Sequence, residues 1–384
     1  MSDSEPLPAK GPSPVASPRY IPALDGVRAL SVMLVMIAHT INGPVATWCN
    51  PGGLGVRIFF VISGYLITGI LIDYSDKYRS AGTAAVQFYW RRILRLTPAL
   101  FVAIVLAALL NIHRMRELWW AHALYLTNFQ VALSGKWNAA GHFWSLATEE
   151  QFYLAWFPLM VLLKDRGRLR VVIAALMIAV VFRLGIFLPG AAERLPEYIC
   201  LPFANTDTLA MGSLLTLAQR NPKLRWLFDL FRSWPLMIGS LIVFILGNVA
   251  VPGLFVFQVW PPAVALFGAC LVRFAIEPEV DWRLKWLTWA PVRHVGKVSY
   301  GLYVYHYFVP EAVALVVDFP RKGKLRRVLG VPMIGLAFII AELSWRFVER
   351  PILALKRGPF PAIGYLGERD RDRKTSGDRA TVTA

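Results

Sequence analysis

Two polar residues, Arg28 and His39, lie in an otherwise apolar stretch near the start of the chain, residues 24–41. Eleven positions correspond to about three turns of an α-helix, so both side chains share one face and lie roughly 16 Å apart along its axis. Ionisable groups inside an apolar span are costly and indicate a functional site. The alternative interpretation is structural: an arginine reaching the lipid headgroups, and a hydrogen-bonded core histidine.

A second group of polar residues lies in the apolar segment 142–158. Ser145, Glu149 and Tyr153 follow one another at intervals of four and therefore form one stripe on a helix. Glu149 is expected at a depth similar to that of His39, and we predict that the two side chains meet. A carboxylate beside an imidazole fixes its tautomer and stabilises its protonated form, as a general base requires.

Arg92 and Arg95 are three residues apart and share one face at the predicted start of a helix. An arginine can bind phosphate through two parallel hydrogen bonds, and a helix N-terminus adds its own attraction for anions. The pair is thus a candidate phosphate site. The alternative is a positively charged anchor at the inner membrane surface, beneath Tyr89 and Trp90.

Small residues, Ser63 and Gly64, interrupt the bulky apolar run 59–68. They favour close packing of two membrane helices over a direct chemical role. Further along, Asp207 is predicted either to pair with Arg183 or to cap a helix.

Near the end of the chain, Ser299, Tyr303 and His306 share one helix stripe, and His306 is predicted near the middle of the membrane. Glu342 and Arg346, four residues apart, are predicted to form an internal ion pair of structural importance.

The composition predicts an all-α polytopic integral membrane protein. Apolar residues make up 56% of the chain and charged residues 17%, and the apolar runs are continuous, which indicates helices rather than barrel strands. Ten spans are predicted, at 24–42, 55–72, 93–112, 142–163, 170–188, 203–219, 234–251, 254–274, 296–317 and 328–348. The aromatic-rich segment between the third and fourth spans is predicted to be re-entrant or interfacial.

Lys and Arg are more numerous in the loops on one side of these ten spans, which places both termini in the cytoplasm. Residues 1–19 are predicted to be a disordered cytoplasmic tail, residues 20–351 the transmembrane domain, and residues 352–384 a second disordered tail. The basic loop Arg321 to Arg327 is the exception, because this orientation places it outside.

The formal charge of +17 does not indicate nucleic acid, because the basic residues cluster in short loops where lipid headgroups explain them. The three cysteines show no metal-ligand spacing, so we predict no metal site. Cys49 and Cys200 both fall outside in this topology and could form a disulfide.

Taken together, five motifs resemble the membrane-bound acyltransferase 3 family, in the order typical of that family. They are Arg28 with His39, FFVISGYLIT at 59–68, Arg92 with Arg95, WSLATEEQFY at 144–153 and SYGLYVYH at 299–306. The resemblance covers roughly residues 20–351 and implies a ten-helix membrane enzyme of the stand-alone form. One position departs from the family pattern: Asn205 stands where an arginine is frequent two residues before the aspartate.

The resemblance implies a bacterial inner-membrane enzyme that moves an acyl group, usually acetyl, from acyl-CoA to a hydroxyl of an envelope glycan or glycolipid. Acyl-CoA would be a substrate, with no permanently bound cofactor. His39 would be the catalytic base, with Arg28 and Glu149 supporting the reaction, while Arg92 and Arg95 would contact the CoA phosphates. Ser63, Ser145, Tyr153, Asp207, Tyr303 and His306 would support the site.

Two alternatives stay open at this point. The acceptor could be a small hydroxylated metabolite such as an antibiotic. The protein could instead be a transporter or flippase of a lipid-linked sugar, in which His39, Glu149 and His306 relay protons; the arginine pair and the absence of a detectable inverted repeat argue against this.

Overall fold

The structure, a computed structural model, describes residues 20–40, 49–78, 80–137, 140–185, 198–250, 254–317 and 324–355. These residues form helices and turns, and no β-strand occurs among them. The α-helices are α1 (Pro22–Thr40), α2 (Pro51–Lys77), α3 (Ala81–Leu109), α4 (Met115–Ala123), α5 (Thr127–Ser134), α6 (Trp144–Leu162), α7 (Asp165–Gly185), α8 (Thr206–Arg220), α9 (Arg225–Leu230), α10 (Trp234–Ala250), α11 (Leu254–Ala275), α12 (Ala290–Tyr305), α13 (Val309–Val313), α14 (Lys324–Ser344) and α15 (Arg350–Ala354).

Each of the ten predicted spans overlaps one of these helices, and the predicted all-α fold is confirmed. By length and composition, four helices in the described ranges can cross a membrane: Pro22–Thr40, Pro51–Lys77, Ala81–Leu109 and Val328–Ala354. A fifth span results if Pro222–Leu230 and Trp234–Asn248, which are bent by 61°, are counted as one. The apolar helices identify a membrane protein, whereas the number of spans and the position of the termini stay predictions.

The predicted ninth span, residues 296–317, is not one continuous helix. α12 ends at Tyr305, and the short helix α13 begins at Val309. Pro310 lies in the first turn of α13, where its missing N–H is tolerated, but it cannot continue a preceding helix. The break places His306 directly at the carboxyl end of α12.

The carboxyl-terminal helix runs further than predicted. α14 continues through a π-helical turn, Trp345–Glu349, into α15, so residues 352–354 of the predicted tail are helical. The predicted ion pair forms, because Arg346 Nε lies 2.6 Å from Glu342 Oε1, but it is not internal, since the Arg346 side chain is 65% exposed. Residues 1–19 and 356–384, and the first part of the basic loop at 321–323, lie outside the described residues.

The cysteines do not pair as the topology allowed. Neither Cys49 nor Cys200 takes part in a disulfide, and Cys200 is fully buried. The Cys200 thiol donates to the carbonyl oxygen of Asn128 at 3.1 Å, which fixes it inside the protein. The suggested disulfide was therefore wrong.

Close packing of α2 on α8 organises the centre of the fold. A Cβ atom added to Gly64 would lie 1.9 Å from the Leu209 carbonyl oxygen, and one added to Gly212 would lie 2.0 Å from that of Val61. Each helix thus presents a glycine to the backbone of the other. The predicted packing role is confirmed for Gly64, whereas the Ser63 side chain hydrogen-bonds to Glu149.

We expect Gly64→Ala to destabilise the protein by at least 1–3 kcal/mol, the usual range for overpacking, because neither backbone can move aside cheaply. Thermal unfolding in detergent measures the effect. Gly239→Ala in α10 is the matched control, since nothing lies within 4 Å of its added Cβ. Equal unfolding temperatures for the two variants would contradict the close packing.

Candidate active site

A cavity of about 270 Å³ lies between α1, α2, α3, α6 and α12. One side is apolar and includes Phe59 and Phe60. The polar lining contains eight of the eleven predicted site residues: Arg28, Ser63, Arg92, Arg95, Ser145, Glu149, Tyr153 and Tyr303. The sequence therefore predicted most of this lining, while His39, His306 and Asp207 lie elsewhere.

The three arginines of the cavity differ in their partners. Arg28 Nη1 lies 2.7 Å from Asp25 Oδ1, and Arg92 Nη2 lies 3.0 Å from Glu150 Oε1. The Arg92 guanidinium also lies 3.6 Å from the centre of the Tyr153 ring. Arg95 is exposed towards the cavity and makes no hydrogen bond or ion pair with any described residue. It is the arginine most available to an anionic ligand.

The helix that carries two of these arginines begins earlier than predicted. Ser80 caps α3 by accepting a hydrogen bond from Gly82 N, about three turns before Arg92. Arg92 and Arg95 therefore lie inside the helix, and the expected contribution of a helix N-terminus to anion binding was wrong. The attraction for an anion rests on the side chains alone.

Tyr20 and Asp25 hold Arg28 in place at the start of α1. Tyr20 Oη donates to Asp25 Oδ2 at 2.6 Å, while Arg28 binds the other carboxylate oxygen. Burial, followed by the hydrogen bond to this carboxylate, raises the pKa of Tyr20, so the phenol stays a donor. The carboxylate fixes the guanidinium beside the cavity.

The predicted stripe on the fourth span lines the opposite wall. Ser63 Oγ donates to Glu149 Oε1. Tyr303 Oη donates to the His142 carbonyl oxygen at 2.7 Å, so the Ser145 hydroxyl, 2.6 Å away, donates to Tyr303. The Tyr303 ring also packs against two histidines, His142 and His306, with ring centroids 5.7 and 5.8 Å away.

His39 lies in a group with these two histidines and not beside Glu149. His39 Nδ1 is 3.1 Å from His306 Nε2, and the ring of His142 packs on His306 with centroids 5.2 Å apart. Glu149 is instead held by Ser63. The predicted meeting of His39 and Glu149 was wrong, because α12 ends beside His39 and supplies an imidazole there. No group of three or more metal-ligating side chains occurs in the described ranges.

Asp207 belongs to a separate, buried ion pair. Its Oδ2 lies 2.8 Å from Arg183 Nη2, so the predicted pairing with Arg183 occurs. Asp207 does not cap the helix, because the N-cap position of α8 is Asn205 and Asp207 lies inside the first turn. The Asn205 amide donates to two backbone carbonyl groups, of Ile199 and Leu201, at 2.8 and 3.0 Å. These contacts give Asp207 a structural role outside the cavity.

We expect Asp207→Asn to cost about 3–5 kcal/mol of stability, because it leaves the buried Arg183 charge uncompensated. Thermal unfolding of the purified protein measures the loss. Glu117→Gln is the control: it breaks an exposed pair with Arg114 and should change little. A stable Asp207→Asn variant with lowered activity would argue instead for a role in the reaction.

Sequence reasoning missed Asp25, Glu150 and His142 as parts of the site. Asp25 lies three residues before Arg28, a spacing that signals an ion pair on a helix. Glu150 neighbours Glu149 and so lies off the stripe of Ser145 and Glu149, and its carboxylate pairs with Arg92. His142 had no signal in the sequence, since its contacts depend on where α12 ends.

Comparison with known proteins gives a consistent result. The peptidoglycan O-acetyltransferase OatA of Listeria monocytogenes is 30% identical over 375 residues, 88% of this chain and 56% of the relative. The O-acetyltransferase OatA of Staphylococcus aureus is 30% identical over an alignment of 388 positions, which covers 91% of this chain and 59% of the relative. The putative peptidoglycan O-acetyltransferase YrhL of Bacillus subtilis is 31% identical over 368 residues, 87% and 55%.

The chain spans somewhat more than half the length of these curated relatives. No solved structure matches it with significance. The family model described as an acyltransferase domain matches residues 21–346, which includes every motif of the cavity and the histidine group. The chain therefore belongs to the acyltransferase 3 family.

Proposed function

We propose that the protein is an O-acyltransferase of the bacterial inner membrane. It moves an acyl group, most simply acetyl, from acyl-CoA to a hydroxyl of a cell-wall glycan. The names of the relatives, which are peptidoglycan O-acetyltransferases, support the reaction and favour a glycan over a small metabolite as acceptor. The chain covers only part of their length, so their whole activity is carried over as a proposal.

The positive charge of the cavity is the observation that supports acyl-CoA as the donor. Arg28, Arg92 and Arg95 line one cavity, and Glu149 is the only carboxylate among its lining residues in the described part of the chain. The CoA part of the donor carries several phosphate charges, which arginine side chains bind well. Arg95, which makes no hydrogen bond or ion pair with a described residue, binds phosphate directly, and the paired Arg28 and Arg92 add positive potential.

The histidine group is the other half of the proposed site. His39 is eleven residues beyond Arg28 on α1, roughly 16 Å along the helix. The two side chains therefore do not act on the same atom. Arg28 does not reach the thioester carbonyl at which His39 acts. An extended donor held by its phosphates near Arg28 and Arg95 directs its thioester end towards His39.

At that end His39 takes the proton from the acceptor hydroxyl as the hydroxyl oxygen attacks the thioester carbonyl. The new C–O bond forms, the C–S bond breaks, and the CoA thiolate receives the proton back from His39. Ser145 and Tyr303 line the cavity, and the Tyr303 ring packs against His306, the residue that contacts His39. Glu149 lines the donor cavity and is held there by Ser63.

The proposed topology agrees with donor binding at the arginine cavity and acyl transfer at His39. With ten spans and both termini in the cytoplasm, Arg92 and Arg95 face the cytoplasmic supply of acyl-CoA. His39 then lies in the outer half of the membrane, where a glycan hydroxyl can approach. The reaction joins a donor from one side to an acceptor from the other.

Comparison of envelope glycans from cells with and without the gene tests the proposal. Mass spectrometry of glycan fragments is expected to show acetyl-bearing species that are absent without the gene and restored by the wild-type chain. The His39→Ala chain should not restore them. Identical fragments in all strains would remove the envelope glycan as acceptor.

A further inference from the structure

His306 lies where α12 ends, and its Nδ1 faces two backbone carbonyl groups. Nδ1 is 2.8 Å from the carbonyl oxygen of Tyr303 and 3.2 Å from that of Leu302. A carbonyl oxygen only accepts hydrogen bonds, so Nδ1 of His306 carries a hydrogen. The end of α12 therefore fixes which nitrogen of His306 is the donor.

His306 and His39 have no carboxylate partner. Among the described residues, the only histidine paired with a carboxylate is His294, at the other end of α12. His306 is 3% exposed, and an uncompensated charge in such an interior is costly, so the imidazole is neutral at rest. A neutral imidazole with its hydrogen on Nδ1 has a lone pair on Nε2.

That lone pair faces His39. Nδ1 of His39 lies 3.1 Å from Nε2 of His306, so the His39 nitrogen must be the donor. We infer that His306 is a positioning residue that fixes the tautomer of His39 and leaves Nε2 of His39 as the proton-accepting atom. This inference rests on the proposed function, in which His39 is the base.

Two aromatic rings pack around His39 and His306 and fix their orientation. His142 stacks on Tyr307 with centroids 4.9 Å apart, and Tyr307 meets His39 edge-on at 5.3 Å. When His39 takes a proton from the acceptor, its Nδ1–H bond to His306 becomes charge-assisted and strengthens. His306, although neutral, thus accepts the Nδ1–H hydrogen bond that a carboxylate accepts in other catalytic histidine pairs.

Three substitutions separate this role from simple packing. His306→Gln can place an amide oxygen near the position of Nε2 and still accept from His39. His306→Asn keeps a donor near Nδ1 but cannot reach His39, and His306→Phe keeps only the ring volume. We expect the glutamine variant to retain kcat within a few-fold, whereas the other two lose on the order of 10–100-fold.

The KM for acetyl-CoA should stay unchanged in all three, because His306 does not line the donor cavity. His294→Gln is the matched control on the same helix, since its exposed side chain faces Glu342. Thermal unfolding in detergent confirms that each variant is folded. Equal losses of kcat in the glutamine and asparagine variants would overturn the inference.

Nitrogen-15 NMR of histidine-labelled protein tests the tautomer without turnover. The His39 signals are identified by their loss in His39→Gln, and we expect a protonated Nδ1 and an unprotonated Nε2. A wild-type His39 protonated at Nε2 overturns the inference even if His39 proves to be the base. Full activity of His39→Gln would instead overturn the proposed function, whatever the tautomer.

Discussion

Replacing His39 by alanine is expected to lower kcat for acyl transfer by on the order of 10²–10⁴-fold, the usual contribution of a general base. The residue lies in α1 beside His306 and outside the arginine cavity, so the loss should appear in kcat and leave donor affinity nearly unchanged. Purified protein in lipid vesicles, supplied with radiolabelled acetyl-CoA and glycan fragments, measures both quantities.

A control substitution at a second buried histidine makes the result specific. His122→Ala removes a buried histidine that bonds to Thr127 and lies outside both the cavity and the pair of His39 with His306. Burial lowers the pKa of His122 to about 4, so it is neutral at the pH of the assay. If His122→Ala lowers kcat as much as His39→Ala does, general damage to the fold explains the loss.

Replacing Arg95 by alanine is expected to raise the KM for acetyl-CoA by about 10–100-fold, the worth of one or two hydrogen bonds to a charged group. Arg95 faces the cavity and makes no hydrogen bond or ion pair with a described residue, so its removal breaks no direct contact within the described part of the chain. Arg95→Lys keeps the charge but loses the paired N–H donors and should fall between alanine and the wild type.

Arg91→Ala is the matched control for this substitution. Arg91 is the exposed neighbour on α3, lies 6.0 Å from the Tyr74 ring centre and does not line the cavity. Isothermal titration with CoA itself measures the donor site without turnover. An unchanged affinity in Arg95→Ala, or an equal loss in Arg91→Ala, would argue that α3 only anchors the protein to anionic lipid.

Helical periodicity predicted the cavity wall correctly. Ser145, Glu149 and Tyr153 recur every four residues, and any helix through them presents all three to one neighbour. The same argument placed Arg28 and His39 on one face of α1. Such patterns determine a face and a depth, because both follow from the geometry of a single helix.

The partners across helices could not be predicted in the same way. His39 meets His306 and not Glu149 because α12 ends at Tyr305, and that end depends on tertiary packing. Arg92 is inside α3 because Ser80 caps the helix earlier than the apolar run suggests. In both cases the deciding feature is a helix end, which apolar periodicity places only within a few residues.

We propose that one chain binds acyl-CoA in the arginine cavity and uses His39 as the base that transfers the acyl group to the glycan. The most direct measurement follows free CoA and glycan acetyl ester together, using purified protein in vesicles with acetyl-CoA and a soluble glycan fragment. We predict that both products appear mole for mole with the wild type and that both fall together in His39→Ala. Ester formation that continues at the wild-type rate in His39→Ala would contradict the account.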